Sequence, residues 1–388
     1  MCASGSSAGA AEDANDSNLL QMRRALTSIL LLGALVGVFV PGAGAAQPKL
    51  VVDAPARGGT IASQLLLRAH LDASPQARIQ SARFFVQDKL VGTDSRAPFA
   101  TSNGTPFDTG VLTAGPNALE ISVSYTAKRS DDRVVTRTLR RTVQVEVFRP
   151  PTDSSPLSAS AWKLKFGDEF SSPTYSRKRW ETQRDDWIKG PIPYSNLEGA
   201  GYRPGNVRFE NGTMNISTAH TRAAGFKQST GSVNTHGAFS FKYGYIEARI
   251  LVPSCSGCWP AFWMLPRADH WPPEIDIIEF FDTSKQGIPY SAVHWRANNK
   301  QGERYFSQRL MISDQHNYVG TWHTYGALWT RDTVQFYIDG FAGPQFLKHS
   351  RVPHKAMYPI IQLAVGAGHK PPPGNTMQVD YVRAWQRR

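Results

Sequence analysis

Three carboxylates fall within six residues in Glu274-Ile275-Asp276-Ile277-Ile278-Glu279, a stretch whose isoleucines otherwise read as a buried strand. Two acids held across a scissile acetal bond can divide the work: one, ionised, attacks the carbon, and the other, protonated, gives its proton to the leaving oxygen. Acids brought onto one concave face repel one another, which raises the proton affinity of at least one of them and favours that division. In a regular strand side chains alternate, so Glu274 and Asp276 share a face while Glu279 points the other way. One bulge at Ile277 or Ile278 returns Glu279 to the face of the other two. Pro272 and Pro273 cannot donate to a ladder, so the regular strand is expected to begin at about Glu274. Taken alone, such a pattern is more often an ordinary strand whose acids face solvent.

The surrounding chain decides what such a strand sits in. Beyond the first 46 residues there is no sustained helical periodicity; short alternating or β-branched runs recur between Gly, Pro, Asn and Asp, the pattern of an all-β protein. The stretch 149–160, with Arg149-Pro150-Pro151 and Ser154-Ser155-Pro156, reads as a linker between two strand-rich regions. Residues 48–148 hold strand-like runs at 65–71, 82–86, 119–125 and 134–147, a small β-sandwich by size and spacing. Ala82 to Asp94, followed by Ala97-Pro98-Phe99, resembles the immunoglobulin-like modules appended to secreted bacterial carbohydrate enzymes. That module has no polar constellation of a catalytic kind, and spacing is its expected role. Residues 161–388 carry runs at 243–252, 274–281, 324–330, 334–338, 360–365 and 378–384, which predict a large antiparallel sandwich or jelly roll.

Met22-Arg23-Arg24, the apolar run from Ala25 to Val40 and the small residues through Ala46 form a secretory signal, with cleavage after Ala45 or Ala46. The acidic residues Glu12, Asp13 and Asp16 ahead of it are unlike a signal start and point to translation from Met22. The 16-residue run is shorter than the roughly 20 residues that span a bilayer, so no stable membrane insertion is expected after cleavage. The expected location is extracellular or periplasmic. Without residues 1–45 the chain keeps 41 basic against 28 acidic groups, a net +13. Pairs such as Lys128-Arg129 and Arg140-Arg141 alternate with apolar residues as on a solvated sheet face, so nucleic acid is not an expected partner; anionic polysaccharide is compatible. Cys255 and Cys258 are too few for a zinc site and stand outside any βαβ unit, which leaves a short loop disulfide or two free thiols.

Several motifs around the hexapeptide occur together and in order. They are Gly167-Asp168-Glu169-Phe170, Asn206-Val207-Arg208-Phe209-Glu210-Asn211-Gly212, Tyr243 to Arg249, Trp259-Pro260-Ala261-Phe262-Trp263-Met264-Leu265-Pro266, His294-Trp295, Phe336 to Gly340 and Val379 to Trp385. With them the region resembles glycoside hydrolase family 16, whose members share a concanavalin-like β-jelly roll and carry E-x-D-x-x-E or E-x-D-x-E on a strand of the concave cleft. The resemblance implies a retaining double displacement on a β-linked glucan or related exopolysaccharide by a monomer. In it Glu274 forms the glycosyl-enzyme, Glu279 protonates the leaving sugar and then activates water, and Asp276 assists. It places His294 beside the acids, and Trp259, Trp263 and Trp295 at or near the cleft, with Trp263 and Trp295 expected to touch sugar. It requires no cofactor for catalysis, and implies a structural calcium at Glu169 and Asp380 with a carbonyl near Gly212. Pro273 and Gln362 depart from the Gly and Asn frequent in laminarin-cleaving members, so the linkage cut stays open between β-1,3 and β-1,4. A transglycosylase of the same fold and a non-catalytic glucan-binding protein are the alternatives.

Overall fold

The computed structural model describes residues 48–388 except 55–59, 63, 66, 73–77, 97–98, 101–106, 109–111, 113, 129–130, 153–156, 186–188, 269–270, 285–286, 297–302, 311–316 and 347–348. The expected signal sequence and the linker residues Asp153 to Pro156 lie outside the described residues. The described residues are mostly strand, with little helix. Its α-helix among the described residues, Pro173–Arg177, is a single turn that Ser172 caps by accepting the Tyr175 N–H.

In the first region a sheet of Thr60–Ile61, Val134–Val147, Gly115–Lys128, Arg78–Val86 and Lys89–Asp94, in that order, faces a smaller sheet of Lys49–Ala54, Arg68–Asp72 and Phe99–Ala100. Alternation makes the core: Leu119, Ile121 and Val123 are buried, and they pack with Phe84, Val143, Val145, Leu50 and Phe99.

The second region is a jelly-roll sandwich, the fold class that the alternating runs predict. One sheet has eight strands: Val207–Glu210, Thr213–Ser217, Thr376–Arg387, Gly244–Leu251, Trp322–Trp329, Val334–Ile338 and Phe341–Phe346 in order, with Trp162–Asp168 also paired to Thr376–Arg387. The other is built from β1 (Ser232–Asn234), β2 (Cys258–Pro266), β3 (Glu274–Phe280), β4 (Pro289–Arg296), β5 (Glu303–Arg309) and β6 (Met357–Val365), in the order β1-β6-β2-β3-β4-β5. Phe262, Met264, Ile275, Ile277, Ile278, Val293 and Ile361 on its inner face meet Ile246, Ala248, Tyr325, Trp329, Phe336 and Val382 of the larger sheet. Burial of this apolar surface holds the inner face in place and leaves the outer face of the six-stranded sheet for chemistry.

Asp168 anchors the entry to the sandwich. It is 2% exposed and accepts the Phe170 N–H at 2.9 Å, the Ser176 hydroxyl at 3.0 Å and the Trp180 indole N–H at 3.1 Å. The two regions meet on the outer face of the eight-stranded sheet. There Phe148, 2% exposed, sits among Trp162, Tyr245 and Tyr337 at ring separations of 5.2, 4.9 and 5.9 Å. Phe148→Ala should therefore lower the stability of the full chain by about 3–5 kcal/mol, read from the urea midpoint. A loss below about 1 kcal/mol would mean that this contact does not hold the regions together.

Candidate active site

The ladder around β3 slips by one residue. Trp263 pairs with Asp276 and Phe262 with Ile278, so Ile277 is the extra residue opposite β2. On the other side Asp276 pairs with Ala292 and Glu279 with Tyr290, which leaves Ile277 and Ile278 opposite Ser291. Ser291, fully buried, donates its hydroxyl to the Ile277 carbonyl at 2.7 Å and satisfies the acceptor that the slip frees. Ile277 and Ile278 both reach the core, and Glu274, Asp276 and Glu279 all stand on the opposite face.

Across that face run two rows set by register. Tyr305, His294 and Glu274 form one. Tyr290, Glu279, Ala261, Gln362 and Ser232 form the other. His294 Nε2 lies 2.9 Å from Asp276 Oδ2 and 3.4 Å from Glu274 Oε1, and Asp276 hydrogen-bonds the Glu274 carboxyl. Donor atoms of these three residues lie within 4.8 Å of one another, a spacing that a cation could use. Burial, then the charge of Asp276, pushes Glu274 well above the ordinary carboxylate range, and His294 opposes this. Burial also raises Glu279, while the Trp259 indole N–H, donated to Glu279 Oε1 at 3.1 Å, and the charge of His294 hold it back.

Trp259 is held from behind. Cys255 and Cys258 are bridged. Between them Gly257 takes φ 70° and passes so close under His369 that a Cβ would lie 2.1 Å from its ring, so glycine is required. Asp282, just past β3, accepts the Gly257 N–H at 3.1 Å and ties this loop to the strand bearing Glu279.

Trp263 is on the acid-bearing face, 7% exposed, edge-on to Tyr194 at 4.8 Å. Trp295 is not. It follows His294 directly and so points the other way, into the core against Phe346 at 5.3 Å; the expectation that it touches sugar is corrected by the same alternation that governs Glu279. The expected calcium ligands are also corrected. Arg383 bonds both oxygens of Glu169 at 2.8 Å, and Arg249 sits 2.7 Å from Asp380. Arginines occupy the places where a divalent cation would have to approach these carboxylates, so the two residues do not fit a calcium site. Residues missed in the sequence include Tyr305, stacked 5.7 Å from His294 and 66% exposed, and Tyr194. Tyr305 was findable, since Tyr305, Ser307 and Arg309 alternate on β5 toward the acid-bearing face; Tyr194 sits in a loop with no periodicity to read.

Residues 200–383 match the family model described as Glycosyl hydrolases family 16. That stretch, a little under half of the chain, is similar to glycosyl hydrolase family 16. It is similar to the endo-1,3-1,4-beta-glycanase ExsH of Rhizobium meliloti (strain 1021), 29% identical over 63% of this chain and 55% of that protein. It is also similar to the glucan endo-1,3-beta-glucosidase A1 of Niallia circulans, 27% identical over 61% of this chain and 39% of that protein. The chain thus spans about half of those relatives' length or less. Among solved structures it resembles the endo-beta-1,3-glucanase from Pyrococcus furiosus, with a TM-score of 0.51 and 26% identity over 60% of this chain and 99% of that one.

Ser291→Ala should leave the Ile277 carbonyl without its hydroxyl partner. Stability should fall by about 1–3 kcal/mol, and any turnover should fall mainly in kcat, since the acids lose their register rather than the cleft its shape. Unchanged stability and kcat would show that the slip holds without Ser291.

Proposed function

We propose that this chain is a secreted, endo-acting retaining glycosidase that cleaves β-1,3- or β-1,4-linked glucan or a related exopolysaccharide. The observation that carries this reading is the slipped register that sets Glu274, Asp276 and Glu279 on one face, with His294 and Trp259 bonded to them. The likeness to family 16 and the relatives named as endo-glycanases and glucosidases support the substrate class.

In the first step Glu274 attacks the anomeric carbon while Glu279, whose proton affinity burial raises, gives its proton to the departing sugar oxygen. Before attack Glu274 must be ionised, and the groups in reach of its proton are Asp276 and His294. In the second step Glu279, now ionised, takes a proton from water that attacks the glycosyl-enzyme. Trp259 spans both steps by holding Glu279 in line through one hydrogen bond. Trp263 and Tyr305 supply flat faces beside the acids for sugar rings. The first β-sandwich is proposed as an immunoglobulin-like spacer, and residues 1–46 as a leader that directs export of a monomer.

Product analysis on laminarin, lichenan and an acidic bacterial exopolysaccharide fixes the linkage. Glu274→Ala should abolish hydrolysis while sparing sugar binding, and Glu279→Gln should cost about 10²–10⁴ in rate on substrates with poor leaving groups. Full activity in Glu274→Ala would sink this mechanism.

The pH profile offers a second check. The Trp259 N–H stabilises ionised Glu279, so Trp259→Phe should raise the Glu279 pKa and move the alkaline limb of kcat/KM to higher pH. His294 favours ionised Glu274, so His294→Gln should move the acidic limb to higher pH. Limbs that stay in place, or move down, would assign them to other groups.

A further inference from the structure

Beside the acid-bearing face lies a cavity of about 1400 Å³ that the chemistry above does not use. Tyr194 belongs to both places: it lines the cavity and meets Trp263 edge-on at 4.8 Å. The cavity wall is fixed from within. Arg184, 4% exposed, lies 4.2 Å above the Tyr194 ring and donates to the Pro193 carbonyl at 2.7 Å. Gln228 crosses the floor, donating to the Gly199 carbonyl at 2.9 Å and the His369 carbonyl at 2.7 Å.

The exposed lysines of this cavity carry positive charge. Arg184, Lys227 and Lys370 line it together with His220 and His369. Among the described lining residues the acid is Glu198, and it is turned inward: it is 4% exposed and accepts the N–H groups of Tyr194 and Ser195 at 3.0 Å each and the Tyr202 hydroxyl. Burial raises its pKa to about 7, which further weakens the negative charge it presents. Lys227 and Lys370 are exposed at the rim and offer their ammonium groups to whatever enters. Ile192, Pro193 and Phe226 add apolar and aromatic surface, with Ser195 and Asn196 as polar neighbours, a mixture that suits a sugar ring and its hydroxyls.

We propose that this cavity extends the cleft as a subsite for a sugar unit bearing a carboxylate, held by Lys227 and Lys370 while its ring packs on the apolar lining. The inference rests on the glycosidase reading and narrows its substrate to chains with acidic units next to the bond that is cut. The shared ligand chemistry is a carboxylate on a glucan, carried either on the sugar carbon itself or on an ester-linked acyl group. The cations act as screened point charges, so the preference must fade with salt.

The test is binding by the full chain carrying Glu274→Gln, which keeps the cavity and prevents turnover of the probe. Three laminari-oligosaccharides of equal length serve: unmodified, oxidised at C6 to uronate, and partly succinylated. At low salt, one or both acidic probes should bind about five-fold tighter than the neutral one, and the advantage should vanish at high salt. Which acidic probe gains identifies the carboxylate source. Adding Lys227→Glu and Lys370→Glu should remove the advantage and leave neutral-probe affinity unchanged. Equal or weaker binding of both acidic probes would overturn the proposal, as would an advantage that survives the two charge reversals. Hydrolysis of unmodified laminarin by the native chain tests the glycosidase reading by itself, so either can fail without the other.

Discussion

The hydrogen bond from the Ser291 hydroxyl to the Ile277 carbonyl closes a gap that the chain opens on purpose of its sequence: one residue more on β3 than its partners can pair. Strand alternation would otherwise put Glu279 in the core or drag Ile278 out of it. With the slip, two adjacent isoleucines stay buried and three acids stay on the outer face. The rest of the site follows from this. His294 reaches two of the acids only because it pairs with Glu274, and Trp259 reaches the third only because Glu279 has come back across the strand.

Placing three carboxylates together costs electrostatic energy, and the fold offsets it locally. The ring of His294 stands between Glu274 and Asp276, the Trp259 N–H meets Glu279, and the apolar core behind them keeps the strand from moving away. The same burial that makes the cluster costly raises the proton affinity of Glu279, which the proposed mechanism needs first as an acid. The disulfide loop, Gly257 and Asp282 form a brace outside the cleft that fixes Trp259 relative to β3. β3 is thus held by its core side, its ladder neighbour and this loop together.

Much of this was legible in the residues. Period-two alternation and turn residues marked the strands, and the hexapeptide itself demanded the slip. The failures have physical causes. The resemblance sets Trp295 at the cleft beside His294, but adjacency in a strand means opposite faces, and its destination is Phe346. The resemblance offers Glu169 and Asp380 as ligands; their partners, Arg383 and Arg249, are brought to them only by the fold. Tyr194 and the cationic cavity come from loops packed against one another, where no periodicity links Arg184, Lys227 and Lys370 before the chain folds. The aromatic seat of Phe148 was hidden for the same reason: three of its neighbours come from strands far apart in sequence.

The claim on which the account turns is that the slipped strand sets Glu274 and Glu279 to work in two displacements at one carbon. The most direct measurement is the anomeric configuration of the first reducing ends released from a β-linked glucan that the chain cleaves, followed by proton NMR before mutarotation. The account predicts that the β-anomer appears first and the α-anomer grows in only by equilibration. Initial release of the α-anomer would mean a single displacement by water, and would contradict the role assigned to Glu274.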